Sequence, residues 1–80
     1  MTREEIIQTV NETLAEEFNV EQEVFTDDAN VKETLDLDSL SLVDLIALVQ
    51  QEFGVLIPVA DLPKIKTFAD LYSYIEEHAA

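Results

Sequence analysis

Apolar residues recur at helical spacing in three stretches of the chain, and the first stretch lies near the N-terminus. From about residue 3 to residue 17 an apolar side chain returns every three or four positions, with acidic residues between. Thr2 and Glu5 stand three residues apart at its start, which is the spacing of a capping box. The pattern therefore predicts a first amphipathic helix, whose apolar face is formed by Ile6, Ile7, Val10, Leu14 and Phe18.

A second predicted helix begins at Asp38-Ser39 and ends at Phe53. Asp38 has the side chain of an N-cap, Ser39 then falls in the first turn, and Gly54 is a usual residue just past a helix end. One face of this helix is apolar at helical spacing, which predicts the side that packs into the core. The members of that face are Leu42, Leu45, Ile46, Val49 and Phe53.

The same helix carries a second apolar line, formed by Leu40, Val43 and Ala47. A surface helix needs only one apolar face, so two interpretations stay open. In the first, another helix or the long loop covers the line, since a helix that is apolar on most sides is usually buried. In the second, the line is exposed beside Ser39 and forms a docking strip. The polar residues that flank it are Asp44, Gln50 and Gln51.

The last predicted helix begins after Thr67, which has capping-box spacing to Asp70. Ahead of it, Asp61 is the predicted cap of a single short turn that ends near Lys64. The apolar residues 55–58 have no second strand to pair with, so we predict an extended connector that lies against the core. The apolar face of the last helix is formed by Phe68, Leu71, Tyr72 and Ile75.

Together these elements predict an all-α fold: a small four-helix bundle of three main helices and one short helix, with a long first loop. No segment alternates apolar and polar residues over a useful length, so no strand is predicted. Eighty residues correspond to a single domain over residues 1–80. The long loop spans residues 19–37, and its apolar residues are frequent enough to hold it against the bundle. They are Val20, Val24, Phe25, Val31, Leu35 and Leu37.

The chain is strongly acidic, since 18 Asp and Glu against four Lys and Arg give a formal net charge of −14. This charge opposes binding to nucleic acid and to anionic membranes, and it favours partners with basic docking patches. Alternatively, the acidic surface only aids solubility. The first residues are polar, and no stretch is long and apolar enough to span a bilayer. We therefore expect a cytoplasmic monomer that does not insert into membranes.

Ser39 is predicted to be an attachment point rather than a nucleophile. A helix start offers free backbone N–H groups and the positive end of the helix dipole, so it tolerates a phosphate ester on a side chain. A hydrolytic serine needs a base in hydrogen-bond contact. The chain has no Cys, and its single His, His78, lies near the C-terminus, where we expect it to be solvated. No catalytic residue is therefore predicted.

The acids around Ser39 do not form a calcium loop of the EF-hand type. Such a loop requires oxygen ligands at its first, third and fifth positions and Gly at its sixth. Counted from Asp36, the fifth and sixth positions are Leu40 and Ser41. No built metal site is therefore predicted.

Four stretches of the sequence resemble the acyl carrier protein family, and the resemblance covers nearly the whole chain. The Asp-Ser-Leu triplet at residues 38–40 is weak by itself, because three common residues occur together by chance. Followed by a mostly apolar helix that ends in Glu-Phe, and by Ile-Pro four residues later, it becomes specific. The four stretches are residues 35–40, 49–54, 57–58 and 64–67.

The resemblance implies a carrier that does no chemistry of its own. Ser39 matches the family serine, to which a phosphopantetheinyl transferase (holo-ACP synthase) attaches 4′-phosphopantetheine through a phosphodiester. The terminal thiol of that group would hold acyl chains as thioesters. The enzymes that act on these acyl groups would include an acyltransferase or acyl-ligase, a ketosynthase and other enzymes of fatty-acid, polyketide or related specialised biosynthesis. The residues expected to contact partners are Asp38, Leu40, Val43, Asp44, Ala47 and Gln51.

Several positions depart from the family pattern. Ser41, Gln50, Gln51 and Val59 stand where relatives often have acids, and Asp36 stands where many have Gly. We therefore expect a dedicated carrier for a specialised pathway, which docks through the second apolar line more than through charge. Two alternatives stay open: a carrier of aminoacyl groups (D-alanyl or peptidyl), and an acidic helical adaptor that is never modified.

Overall fold

The part of the chain that the structure describes contains three long helices and three short ones. The computed structural model describes residues 2–79. The α-helices are α1 (Arg3–Phe18), α2 (Val31–Thr34), α3 (Ser39–Phe53) and α4 (Phe68–His78), and 3₁₀ helices occupy Gln22–Val24 and Val59–Lys64. The predicted all-α bundle, with three main helices and a long first connection, is confirmed.

The helix ends are set by the local signals that the sequence contains. Thr2 and Thr67 each accept a hydrogen bond at 3.2 Å from the backbone N–H three residues on, and the acids at those positions, Glu5 and Asp70, complete both capping boxes. Gly54 ends α3 with a φ of 68°, a left-handed conformation that glycine adopts without steric cost. The predicted helix starts and the end of α3 are confirmed, and α1 runs one residue beyond its predicted end at residue 17.

The 3₁₀ helix before α4 differs from the prediction at its start. It begins at Val59, and no side chain caps it. The backbone N–H of Asp61 donates to the carbonyl of Pro58 at 2.9 Å, which places Asp61 inside the helix. The predicted Asp61 cap is therefore wrong. Pro58, whose ring fixes its φ, begins the turn earlier, and the Asp61 carboxylate instead accepts a hydrogen bond from the Tyr74 hydroxyl at 2.9 Å.

The core lies where α1 packs against α3 and α4. All four predicted core residues of α4 are buried, and so are Val55 and Ile57 of the extended connector, which confirms its predicted position. The predicted faces of α1 and α3 are buried at their centres and half-buried at their edges. The buried residues of these two helices are Ile6, Val10, Leu14, Leu45 and Val49, and the half-buried ones are Ile7, Phe18, Leu42, Ile46 and Phe53.

The long first loop is held against the start of α4. The Val31 N–H donates to the carbonyl of Lys66 at 2.9 Å, and the Phe68 N–H donates to the carbonyl of Ala29 at 3.1 Å. Of the six apolar residues in the loop, four are buried, Val20 is half-buried and Val24 is 42% exposed. The predicted anchoring is therefore confirmed for most of these residues. The loop also contains α2 and the first 3₁₀ helix, which were not predicted because a single turn is too short to show a period.

Asp36 connects α2 to α3 with a φ of 51°, in the left-handed region. A side chain with a Cβ atom is strained there, although Asp tolerates it better than most residues. A glycine at this position would adopt the same conformation freely. The turn ahead of Ser39 therefore contains a small local strain.

We expect Asp36→Gly to raise the free energy of unfolding by about 0.5–1 kcal/mol, because glycine relieves this strain by more than it adds to unfolded-chain entropy. Urea unfolding measures the change. Asp36→Asn is the control, since asparagine also tolerates the left-handed region and removes the same negative charge. An equal rise in the free energy of unfolding for both variants would show that the effect comes from loss of the negative charge. It would contradict relief of backbone strain.

Candidate functional site

Ser39 is the first residue of α3, and it is exposed. Asp38 precedes it as the N-cap, and the Oδ1 atom of Asp38 accepts a hydrogen bond from the backbone N–H of Ser41 at 2.8 Å. The predicted placement of Ser39 in the first turn, capped by Asp38, is confirmed. The serine hydroxyl is therefore presented to solvent on a well-defined helix start, where a second protein can reach it.

The cap also sets the charge at this helix start. Hydrogen bonds from the Ser41 backbone N–H, and then from the Ser41 side chain, hold the pKa of the Asp38 carboxyl below its ordinary value of 3.8. Asp38 is therefore ionised at neutral pH, while the first turn of α3 itself contains no acid. A phosphate on Ser39 would gain from the positive end of the α3 dipole, and the Asp38 charge would offset part of that gain.

The second apolar line of α3 is exposed to solvent. Leu40 is 82% exposed, Val43 is 61% exposed, and Ala47 is exposed as well. We call these three residues the apolar face of α3. The interpretation in which another helix or the loop covers this line is wrong within residues 2–79, because α3 turns Leu45 and Val49 to the core. Unpartnered apolar surface of this kind typically marks a contact site for another molecule.

Of the polar residues that flank the apolar face, Gln50 and Gln51 are exposed and Asp44 is half-buried. Asp44 lies beside Glu17, in the last turn of α1. Hydrogen bonding that the protonated Glu17 carboxyl can donate to Asp44, and then the negative charge of Asp44, raise the pKa of Glu17 above its ordinary value of 4.5. The sequence did not predict this contact, because the two residues are far apart in the chain and only the packing of α1 on α3 joins them.

We expect Glu17→Gln to stabilise the protein at neutral pH, with a gain that shrinks as the solution is acidified. A carboxyl whose pKa is raised by folding contributes its full stability below the unfolded value, near 4.5, and loses it as the pH rises through the folded value. The wild type should therefore gain stability from neutral pH down towards about 4.5, and the variant should gain less. Thermal unfolding at a series of pH values measures both trends.

Glu52→Gln is the matched control for this prediction. Glu17 and Glu52 are each the next-to-last residue of a helix, so both substitutions remove the same unfavourable interaction with a helix C-terminus. Equal changes in Tm for the two variants at every pH would contradict the role of Asp44. Below about pH 4 the wild type and both variants should lose stability. The backbone N–H groups that Asp38 and Asp70 cap lower the pKa values of these two carboxyls, so their stabilising charges are lost only in acid.

A cleft of about 430 Å³ opens between α2, the first half of α3 and the segment that leads into α4. Its volume is in the range of small-molecule pockets. Ser39 lies in sequence between two of its lining residues, Leu37 and Leu42, and a residue three positions along a helix lies on the same side. The sequence did not predict the cleft, because its walls come from separate segments. The apolar lining residues are Val31, Leu37, Leu42, Leu45, Ile57, Leu62, Pro63, Ile65 and Leu71, and the polar ones are Asn30, Lys32, Glu33 and Lys66.

His78 is engaged within its own helix. Its Nδ1 atom lies 2.8 Å from the carbonyl of Tyr74, and the two rings stack with their centroids 4.1 Å apart. No hydrogen bond joins His78 to Ser39 among the described residues, so the arrangement does not provide a base for Ser39. Over residues 2–79, no three His, Cys, Asp or Glu side chains converge in a way that could hold a metal ion.

Comparison with known proteins connects this geometry to a family. A family model described as "Phosphopantetheine attachment site" matches residues 8–75. The chain belongs to the acyl carrier protein family. It is 38% identical over 78 residues to an acyl carrier protein of Lactobacillus acidophilus, covering 98% of both chains, and 42% identical over 76 residues to one of Thermotoga maritima, covering 95% of this chain and 94% of the other.

A solved structure supports the same conclusion for the fold. The acyl carrier protein from Enterococcus faecalis superimposes with a TM-score of 0.81 at 35% sequence identity, and the match covers 98% of this chain and 99% of that one. Proteins of this family carry 4′-phosphopantetheine and are generally not catalysts. The exposed hydroxyl of Ser39 on a capped helix start is compatible with such a group. None of the helices in the described part of the chain is both long and apolar enough to cross a membrane.

Proposed function

We propose that Ser39 is the residue to which a phosphopantetheinyl transferase attaches 4′-phosphopantetheine. The observation that supports this proposal is the exposed hydroxyl in the first turn of α3, beside an ionised and hydrogen-bonded Asp38. When bound, the group supplies a terminal thiol that holds acyl chains as thioesters, which compensates for the absence of cysteine in the chain. The helix start orients the attachment point, and the nearby apolar cleft offers a place for the acyl chain.

The enzymes that use this carrier belong, in our proposal, to fatty-acid, polyketide or a related specialised biosynthesis. They include an acyltransferase or acyl-ligase and a ketosynthase, and they act on a cytoplasmic, monomeric carrier. The apolar face of α3 supports a dedicated role, because partners that bury it gain affinity from apolar contact rather than from charge. Asp38, Asp44 and Gln51 form the polar surroundings of the same contact.

An intact-mass measurement tests the attachment. The purified protein is incubated with coenzyme A and a promiscuous phosphopantetheinyl transferase, and the mass should increase by one phosphopantetheine group. The absence of any increase, with a known carrier modified in parallel, would contradict the carrier role and leave the unmodified adaptor as the better hypothesis.

We expect Leu40→Ala to lower the kcat/KM of the phosphopantetheinyl transferase by about tenfold. Burying a leucine side chain contributes about 1.5–3 kcal/mol, and alanine retains only a part of that. The stability of the free protein should not change, because Leu40 is 82% exposed. A coupled assay of arm transfer against carrier concentration measures the effect.

Leu56→Ala is the matched control for Leu40→Ala. Leu56 is 61% exposed and lies on the connector after α3 rather than on the helix. The substitution removes the same atoms from the surface and should leave kcat/KM unchanged. An equal loss in both variants, or no loss in Leu40→Ala, would contradict docking through the apolar face of α3.

A further inference from the structure

Among the residues that the structure describes, two of the four basic side chains of this acidic chain form no ion pair. Arg3 and Lys64 form ion pairs with carboxylates at 3.8 and 3.5 Å. Within residues 2–79, Lys32 and Lys66 form none, although the chain contains 18 acidic residues. Backbone hydrogen bonds, and then to a smaller extent the charge of Lys66, lower the pKa of the nearby Asp70 carboxyl, but within residues 2–79 neither lysine is held in an ion pair.

These two lysines lie at the same cleft. Lys32 belongs to α2 and Lys66 to the segment just before α4, and both line the cleft of about 430 Å³. The two segments are joined by the hydrogen bond from the Val31 N–H to the Lys66 carbonyl at 2.9 Å, and by the antiparallel bridge between Asn30 and Thr67. The backbone thus brings two residues that are distant in sequence to one rim.

The other lining residues of the cleft are suited to an apolar part of a ligand. Its walls are mainly apolar, and Glu33 is the only acid among the lining residues. The charged side chains at the cleft therefore sum to one net positive charge. A ligand that complements this arrangement has a methylene chain for the walls and an anionic group for the lysines. Low-dielectric walls strengthen such an interaction relative to an open surface.

We propose that the cargo of this carrier is an acyl chain with a carboxylate at its far end, the monothioester of a straight-chain dicarboxylic acid. Its methylene groups pack against the apolar walls, and its free carboxylate binds Lys32 and Lys66. This inference rests on the proposed attachment at Ser39, which lies in sequence between the lining residues Leu37 and Leu42. The cleft would then prefer a cargo with a terminal carboxylate, which an entirely apolar lining would not do.

Two cargoes of equal length test the proposal. The carrier is loaded by a promiscuous transferase from the coenzyme A thioesters of a straight-chain dicarboxylic acid and of the monocarboxylic acid of the same length, and intact mass confirms each product. Cleavage of the thioester by hydroxylamine then reports how well each cargo is protected. Each cargo is measured on the wild type and on the double variant Lys32→Met and Lys66→Met, which keeps the unbranched apolar stems and removes both charges.

We expect the dicarboxylic cargo to be cleaved roughly three- to tenfold faster on the double variant than on the wild type, on the scale of one or two exposed ion pairs. The monocarboxylic cargo should show no difference, and high salt should reduce the effect because it screens exposed charges. Lys64→Met is the matched control. Lys64 is already paired with Asp61 and does not line the cleft, so its loss should leave both rates unchanged.

The outcomes separate the alternatives. Equal acceleration of both cargoes would show that the lysines act on the phosphate of the arm or on the fold, and would overturn the proposal. No acceleration of the dicarboxylic cargo would overturn it as well. A failure of the arm to attach at all, seen in the mass spectrum, would overturn the proposed function together with the inference that rests on it.

Discussion

Replacing Ser39 with alanine is expected to abolish the mass increase that coenzyme A and a phosphopantetheinyl transferase produce on the wild type. Alanine lacks the hydroxyl oxygen that would form the phosphodiester, so no partial activity should remain at this position. The fold should be intact, because Ser39 is exposed. Asp38 accepts its capping hydrogen bond from the backbone of Ser41, which the substitution does not touch. Intact mass and far-ultraviolet circular dichroism measure both properties.

Ser41→Ala is the matched control. Ser41 lies in the same turn, two residues further on, and its backbone N–H still donates to the Asp38 cap after its hydroxyl is removed. We expect full modification of this variant, at a rate close to that of the wild type. A mass increase that survives Ser39→Ala and disappears in Ser41→Ala would move the attachment point by half a turn and would contradict the assignment of Ser39.

The second large effect concerns the junction between the long loop and α4. Phe68 has no solvent exposure, and its ring centroid lies 5.0 Å from that of Phe25 in the loop and 6.4 Å from that of Tyr72. Truncation of a buried phenylalanine to alanine costs about 3–5 kcal/mol. The total stability of a domain of this size is only about 4–12 kcal/mol. The Phe68→Ala variant should therefore retain little stability at low salt. Urea titration measures its free energy of unfolding.

Phe68→Leu is the control for this prediction, because it keeps most of the apolar volume and should lose less than about 1.5 kcal/mol. A stabilising concentration of sulfate makes the alanine variant measurable if it is unfolded in dilute buffer, since excluded salts favour burial. A loss of less than about 1 kcal/mol for Phe68→Ala would show that the loop and α4 are not joined through this ring.

Helix α3 carries the three proposed roles on different residues, and this separation makes the substitutions informative. Its start presents Ser39, its apolar face contains Leu40 and Val43, and its inner side contributes Leu42 and Leu45 to the cleft. Leu40→Ala should slow attachment without abolishing it, and Ser39→Ala should abolish attachment without affecting the apolar face. Complete loss of attachment, slower attachment and loss of cargo protection can therefore be told apart on the same protein.

Much of the local structure was determined by short-range signals in the sequence. The two capping boxes, the Asp38 cap and Gly54 act within four residues along the chain, so the helix ends could be read from residue types alone. The all-α fold and the buried face of α4 followed from the helical period in the same way. Ser39 was found because a cap, a short polar triplet and the residues after it lie within one continuous stretch.

Other features depended on contacts between residues that are distant in the chain. Asp61 was expected to cap a turn and instead accepts a hydrogen bond from Tyr74, thirteen residues away. The sequence could not decide whether Leu40 and Val43 were covered, since burial depends on what the rest of the chain packs against that side. The pairing of Asp44 with Glu17 is of the same kind.

The sequence by itself therefore determined the helices, their ends and the serine that begins α3, because these depend on interactions between neighbours in the chain. Only the tertiary structure decided that the apolar face of α3 is exposed, that a cleft opens between α2, α3 and the segment before α4, and that Lys32 and Lys66 both line it. Each of these requires segments to be brought together across the bundle by packing and by backbone hydrogen bonds such as that from Val31 to Lys66. No local pattern encodes that juxtaposition, because side-chain burial is a property of the whole packed chain.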